Sequence, residues 1–561
     1  MTTENSLRPP EKASPTAQPV EPVESIDTIA AAFKAAPGTE ILYDQEGERG
    51  SVSQRLHKLQ HVRHGDGHIL LVPQPSLTDP NDPLRWSTLK KWAAFGNGLY
   101  YAFLGSVTGP IMAAWLVTGA ASLDVPLRNM AYATGATLIC QGVANTLWMP
   151  FAIKYGRRPV YLLSTFLMGL ACVWLGVASQ KSYLSLLLAR AFLGAWEAPI
   201  ESIVPSTITD IFFLHDRGSK VAMYGLSVLG GNELGPVLSA FMIQALGMDW
   251  AYYIVAIFIG INVLTMFFFM PETRFLGSRP SILTDVTESS GVKEGAYHLE
   301  VHEDEEHLAP KKRTFVQALA FWGQGDPEVS LWRAFLRPFV LLAYPTVVWA
   351  CFIYGMALSW NVLLAVLTGQ LFSPPPYSFD SESQGLVFLS PLVGSLIGTY
   401  LCGPMADSIA NYYTRRNHGI REPEMRLPTC IVAAALTFFG ALMAGLCFTH
   451  QTHWAGPVVG IGVLSTGAQM GATLGMNYAL DCHKELSVEL MVTVASLKSA
   501  IAWIWTWVAN DWLTDDGPLV VFLSIGAVSV VVYLSTIVFY LRGKAIRTWL
   551  LEKDILKLLG L

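Results

Sequence analysis

The chain has 561 residues, 52% of them hydrophobic and only 14% charged, whereas a soluble globular domain carries about 25% charged residues. That shortage excludes a soluble multidomain protein, and a net charge of -6 offers no basic surface for nucleic acid. Long apolar stretches alternate with short polar ones, the composition of a chain that crosses a bilayer repeatedly.

Residues 1 to about 40 are rich in Pro, Glu, Ser and Ala, and closely spaced Pro9, Pro10, Pro15, Pro19 and Pro22 predict a disordered tail. Residues 1–88 lack an apolar signal-peptide core, so the first span is expected to serve as its own insertion signal. The C-terminal Leu558-Leu559-Gly560-Leu561 is no retention or peroxisomal address. His57, His61, His64 and His68 fall at helical spacing. Without a cysteine or a tight carboxylate pairing to complete a metal site, they predict a solvated juxtamembrane helix. A proline-rich run then leads to Lys90-Lys91-Trp92, basic and aromatic anchors for a membrane boundary.

Apolar spans follow near 92–117, 130–152, 160–178, 183–206, 219–245 and 249–270, and again near 338–366, 385–404, 428–449, 455–479, 487–510 and 517–541. The sequence therefore predicts an all-α polytopic membrane protein, with 12 transmembrane helices in two pseudo-symmetric six-helix bundles. Its expected parts are a cytosolic N-terminal segment (1–88), a first bundle (89–270), a cytosolic central loop (271–337), a second bundle (338–541) and a cytosolic tail (542–561). Cys140, Cys172, Cys351, Cys402, Cys430 and Cys447 lie in apolar runs and Cys482 in a loop read as cytosolic, so no disulfide framework is expected.

Positive charge supplies an orientation. Alternate short loops on one side hold Lys154, Arg157, Arg158, Arg217, Lys220, Arg415, Arg416, Arg421, Arg426 and Lys484, and those on the other only Arg128 and Lys181. The richer side is expected to be cytosolic, as are both termini. Of 37 Lys and Arg residues, Arg190 and Lys498 remain inside spans. A charge at that depth costs at least about 2.5–3.5 kcal/mol, which marks such residues as functional candidates.

The fourth span carries Arg190, Gly194, Glu197, Glu201 and Pro205. At about 100° per residue, Glu197 and Glu201 flank Arg190 by about 20° on either side, forming one stripe that must face the bundle interior. Carboxylates beside a cation can titrate for proton coupling; the alternative is a static buried ion pair between helices. In the fifth span Gly231 and Gly235, with Pro236, make a small-residue face. Glu233, about 200° round from both glycines, points away from it. Gly394 and Gly398, then Gly467, Gly471 and Gly475, make similar faces, read as surfaces on which the halves rock. Lys498, Asn361, Gln469, Asn477 and Trp360 are substrate-contact candidates, with Trp503, Trp505 and Trp507 as further stacking surfaces. Asp481 marks the end of the tenth span.

The chain lacks a phosphate-binding P-loop and a GxSxG elbow, and His302 and His307 are five apart in a hydrophilic loop, not on a zinc-binding helix. Neither an enzyme nor an ATP-driven pump is expected, and no cofactor or metal.

Pro150-Phe151-Ala152-Ile153-Lys154-Tyr155-Gly156-Arg157-Arg158-Pro159 resembles the signature loop of the major facilitator superfamily. Arg190 to Gly194 is similar to the RxxxG element of that family's fourth helix, and Gly231 to Ala240 to its fifth-helix antiporter motif. With Asp82-Pro83-Leu84-Arg85-Trp86, Pro271-Glu272-Thr273, Ser373-Pro374-Pro375-Pro376-Tyr377 and Gly419 to Leu427, residues 70 to 545 resemble a fungal twelve-spanner drug:proton antiporter branch. Members of that branch move polyamines, weak organic acids, xenobiotics and secondary metabolites, including products of β-lactam pathways. The resemblance assigns gating to Gly156, Arg157 and Arg158 and proton transfer to Arg190. Ile153 replaces the usual loop acid, Asp407 is a candidate counterpart in the second half, and Ser239 and Ala240 replace two motif glycines.

The expected function is thus proton-coupled export of a small amphipathic or amphoteric organic molecule. The protein is expected to act as a monomer in the bilayer, at the plasma membrane, with the vacuolar or peroxisomal membrane as alternatives. Proton-coupled uptake of cationic amines, and a transporter-like nutrient sensor using the long cytosolic segments, are the competing readings.

Overall fold

The structure, a computed structural model, describes residues 79–277 and 312–553 except 324, 328, 418–419 and 484–485, together with 40–41, 61–64, 67–70, 73 and 75–76. The proline-rich tail and residues 278–311 of the central loop lie outside the described residues, as does His57.

The described part of the histidine segment, His61–His64 and Gly67–Leu70, is extended and not helical. Strands β2 (His61–His64) and β3 (Gly67–Leu70) pair antiparallel, with Arg63 opposite His68. Gly65-Asp66-Gly67 is turn sequence and Val62 and Ile69 favour extended backbone, which overrides the histidine spacing. A second two-residue pairing joins β1 (Glu40–Ile41) to β4 (Ile420–Arg421).

The first half begins at a buried Asp82, which accepts hydrogen bonds from the amides of Ser76 and Leu84 at 2.8 and 3.0 Å. Helix α1 (Thr88–Thr108) is followed by a 3-10 turn (Pro110–Trp115) and α2 (Leu116–Ser122). Then come α3 (Leu127–Tyr155), α4 (Arg157–Ala178), α5 (Tyr183–Glu197), α6 (Ile200–Ile211), α7 (Leu214–Leu246) and α8 (Met248–Phe269). Central-loop segments form α9 (Phe315–Ala318) and α10 (Leu331–Val340). The second half comprises α11 (Pro345–Phe372), α12 (Ser381–Val387), α13 (Leu389–Arg416), α14 (Thr429–Thr449), α15 (Ala455–Cys482), α16 (Ser487–Leu534) and α17 (Thr536–Lys553).

Among the described residues ten helical stretches are long and apolar enough to cross a membrane. The last runs from Ser487 to Lys553 and contains Gly517 at φ 79°, next to Pro518, where the chain turns between the expected eleventh and twelfth spans. The expected fourth span is the broken pair α5 and α6.

The glycine faces lie elsewhere than expected. Added Cβ atoms on Gly231 and Gly235 would strike Phe103, Ser106 and Val107 of α1, and those on Gly394 and Gly398 would strike Gly462 and Thr466 of α15. Gly467, Gly471 and Gly475 face Thr437, Tyr533 and Ile353. All are close approaches within one half. Between halves, α3 meets α16 at Gly142, where a Cβ would stand 2.9 Å from Ser496 O, and α7 meets α12 at Gly385, 3.2 Å from Pro236 O.

The described part of the expected tail is helical: α17 continues to Lys553 and is pinned by Arg547. Its Nε and Nη2 each donate at 2.8 Å to the Glu424 carboxylate, both partners being buried. Replacing Arg547 with Leu strands the buried Glu424 carboxylate and is expected to cost about 3–5 kcal/mol. This is read as a lower thermal midpoint, and Glu424→Met in the same chain should restore most of it.

His483, beyond the end of α15, lies 2.7 Å by Nε2 from Thr346 Oγ1. Burial pushes its pKa down to about 4, and Arg547 adds to the effect. Between its ordinary pKa of 6.5 and about 4, only the unfolded imidazole takes up a proton, so stability falls as pH drops through that window. His483→Gln should flatten this acid limb in unfolding measured against pH.

Candidate functional site

The site is built on interruptions in helices. Pro199 has no amide proton to give the carbonyl one turn earlier, and Trp148 Nε1 donates to that Ala195 oxygen at 2.9 Å. The break puts Glu197 at the end of α5 and Glu201 in the first turn of α6, so the expected stripe is not one continuous helix face. Gly194 permits the crossing of α5 over α3, because a Cβ there would stand 2.8 Å from the Thr137 carbonyl carbon.

Arg190 is fully buried and donates from Nη1 and Nη2, each at 2.8 Å, to the carbonyls of Thr108 and Gly109. Those carbonyls lie where α1 ends before Pro110, so the guanidinium satisfies acceptors left free by a second helix break. Glu197 is buried, with Oε2 2.7 Å from Thr108 Oγ1, which also lies 2.6 Å from Gly105 O.

Glu201 pairs across the two halves. Lys498 Nζ, from α16, lies 2.6 Å from Glu201 Oε2, with the lysine side chain 5% and the glutamate side chain 18% exposed. The ammonium also stands 4.5 Å above the Tyr354 ring and 3.5 Å from its hydroxyl. Gly355 makes room, since a Cβ there would stand 3.3 Å from Lys498 Cα.

The remaining candidates are dispersed. Glu233 is buried on α7 and makes no hydrogen bond or ion pair among the described residues. Asn361 lies two turns beyond Tyr354 on nearly the same face of α11, its Oδ1 buried without a protein partner. Trp360 is buried inside the second half, with Nε1 on Ser529 Oγ at 2.9 Å and its ring 5.2 Å from that of Trp505. Gln469 donates to Thr399 Oγ1 on α13 at 3.3 Å, and Asn477 is exposed. Trp503 packs edge-on to Trp507, while Trp505, Trp507 and Trp512 line an open groove of about 550 Å³ with Asp511 and Ser524.

At the end of the molecule rich in Arg and Lys, Gly156 takes φ 104° between α3 and α4. The Glu272 carboxylate accepts from the amides of Arg157 and Arg158 at 2.9 and 3.1 Å, and from that of Arg274 at 2.9 Å. Arg157 Nε reaches Asp210 at 3.4 Å. Arg158 donates to the carbonyls of Phe267, Met270, Leu319 and Ala320, and Arg274 to those of Ile153 and Lys154. In the second half Asp407 accepts from Arg421 and Arg426, both at 2.9 Å, and Arg426 also reaches Asp481 at 2.7 Å. Sequence reasoning singled out neither Thr108, Tyr354, Asp210 nor the capping by Glu272. Only Glu272 had a signal, its place in the Pro271-Glu272-Thr273 motif.

A long helical membrane chain in two halves, with paired ionisable side chains between them, is the architecture of a secondary transporter. Residues 93–505 match the model of the Major Facilitator Superfamily, and the chain belongs to that family. It is similar to Protein HOL1 of Saccharomyces cerevisiae, 26% identical over 91% of this chain and 95% of that one. It is also similar to the MFS transporter cpaT of Aspergillus oryzae, 27% identical over 84% and 90% of the two chains. A third relative is the Major facilitator superfamily multidrug transporter FLU1 of Candida albicans, 24% identical over 86% of this chain and 75% of that one.

The pairing is testable by double-mutant cycle in purified protein. Glu201→Gln with Lys498→Met should give a coupling of about 1.5 kcal/mol or more in unfolding free energy. Glu201→Gln with Arg190→Met should stay below about 0.5 kcal/mol. The reverse order would refute the assignment.

Proposed function

We propose that the protein is a proton-coupled exporter of a small amphipathic or amphoteric organic molecule, a drug or secondary metabolite. On this reading it works as a monomer in the plasma membrane with both termini cytosolic. The observation that carries the reading is the Glu201–Lys498 pair, a carboxylate and an ammonium 2.6 Å apart that tie the two halves together. A proton on Glu201 removes the charge that attracts Lys498 and so loosens that tie. Substrate release and proton loading then belong to one conformation, substrate binding and proton loss to the other.

Glu197 supports the same chemistry. Thr108 has one hydroxyl proton but two acceptors in reach, Gly105 O at 2.6 Å and Glu197 Oε2 at 2.7 Å. All three groups are satisfied when Glu197 carries its own proton and donates it to Thr108. Arg190 and Glu233 complete the proposed proton-coupling set, and Asn361, Gln469, Asn477, Trp360 and Lys498 the proposed substrate contacts. Gly156, Arg157, Arg158, Pro236 and Asp407 remain the proposed gating set, while Gly231 and Gly235 pack α7 against α1 inside the first half. The name of the Candida relative as a multidrug transporter supports a drug-like substrate.

One proton moving through about 100 mV contributes about 2.3 kcal/mol, and one pH unit about 1.4 kcal/mol more. Together they sustain a solute gradient of two to three orders of magnitude, with no nucleotide required.

The test is flux in proteoliposomes under an imposed pH gradient, with substrates drawn from a panel of fluorescent drugs and amino-acid-derived acids. Glu201→Gln should lower pH-driven accumulation at least tenfold. Full pH-driven flux in that variant would sink the proposal. Lys498→Ala should weaken carboxylate-bearing substrates more than amines.

A further inference from the structure

The central-loop helix α10 (Leu331–Val340) has three distinct faces. At about 100° per residue, Trp332, Phe335 and Phe339 share one side, Arg333 and Arg337 lie about 100–140° round from Trp332, and Ala334 and Pro338 occupy the third side. The aromatic rings form a ladder, with centroids 5.7 Å apart for Trp332 and Phe335 and 5.3 Å for Phe335 and Phe339. Trp332 is 66% and Phe339 47% exposed, whereas Ala334 and Pro338 are buried. The small face packs against both α3 and α16, and Thr493 Oγ1 donates to Pro338 O at 2.8 Å. The helix therefore touches the two halves at once.

Its basic face is partly free. Arg337 lies 3.4 Å from Glu489, while Arg333 is exposed and makes no hydrogen bond or ion pair among the described residues. Chain continuity fixes what surrounds the other two faces. Only a 3-10 turn, Leu341–Ala343, separates α10 from the apolar α11 that starts at Pro345. Ten residues of helix span about 15 Å, half the thickness of a hydrocarbon core, so α10 is too short to cross and ends where the chain enters the bilayer.

We infer that α10 is a binding site for anionic phospholipid: Trp332, Phe335 and Phe339 sit in the acyl boundary while Arg333 and Arg337 hold the phosphate and the negative headgroup. An amphipathic helix with aromatic residues on one face and arginines beside them is suited to this plane of the bilayer. Arginine supplies planar paired donors that match a phosphate. Because the third face bridges α3 and α16, a lipid held there bears on the contact between the halves.

The experiment uses the full-length protein in nanodiscs of phosphatidylcholine containing a trace of either photoreactive phosphatidylserine or photoreactive phosphatidylcholine. Phosphatidylserine should label the 331–340 peptide at least fivefold more than phosphatidylcholine. Arg333→Gln with Arg337→Gln should bring the two to parity, with an unchanged thermal midpoint in phosphatidylcholine as the folding control. Millimolar soluble glycerophosphoserine should not compete. Equal labelling in the parent protein, no labelling of this peptide, or full competition by the soluble headgroup would each overturn the inference. The readout involves no flux, so it stands or falls apart from the proton-coupling proposal.

Discussion

A charge that cannot reach water must be answered by another group of the protein, and this requirement organises the centre of the molecule. Arg190, Glu197, Glu201 and Lys498 are each held by a partner on a different element. Arg190 is answered by carbonyls, Glu197 by a hydroxyl, and only Glu201 and Lys498 by opposite charge. That last pair joins the two halves, so the strongest local electrostatic attraction is also the one a conformational change would have to break. A buried pair of this kind contributes little net stability over apolar packing, but removing one member is costly.

The partners exist because the helices are broken. A continuous helix consumes its own carbonyls, and only where Pro110 and Pro199 interrupt it are Thr108, Gly109 and Ala195 left with acceptors to offer. At the basic end, the turn at Gly156 exposes the first amides of α4, and Glu272 takes them. The same logic ties the central loop to the first half, since Arg158 draws the carbonyls of Leu319 and Ala320 onto the loop it belongs to.

Much of the architecture was legible in the sequence, because a membrane demands about 20 apolar residues per crossing and leaves few charges inside. Arg190 and Lys498 were visible as the two basic residues without a loop to occupy. The pairing was not: periodicity placed Glu201 on the Arg190 stripe, and it takes the bend at Pro199 and the packing of α16 to bring Lys498 to it. Small-residue spacing identified close helix approaches but not their partners, so seams within each half were read as seams between halves. The histidine hairpin was missed because a helical spacing of four residues outweighed a local turn signal. Helix α10 was hidden by its arginines, which read as part of a hydrophilic loop.

The paired state also bears on what the proposed transporter would accept. With Lys498 on Glu201, neither charge is free for a substrate, and a simple amine that took the carboxylate would leave the ammonium buried and alone. A simple carboxylate would leave Glu201 in the same position unless a proton neutralised it. A molecule carrying both an amine and a carboxylate can replace the pair in one exchange, its ammonium on Glu201 and its carboxylate on Lys498, so that no buried charge is stranded. Protonating Glu201 then removes half of that binding site while leaving the lysine in place. The proton is thereby set against the substrate's cationic group, and competition for one carboxylate suffices to couple the two movements in opposite directions.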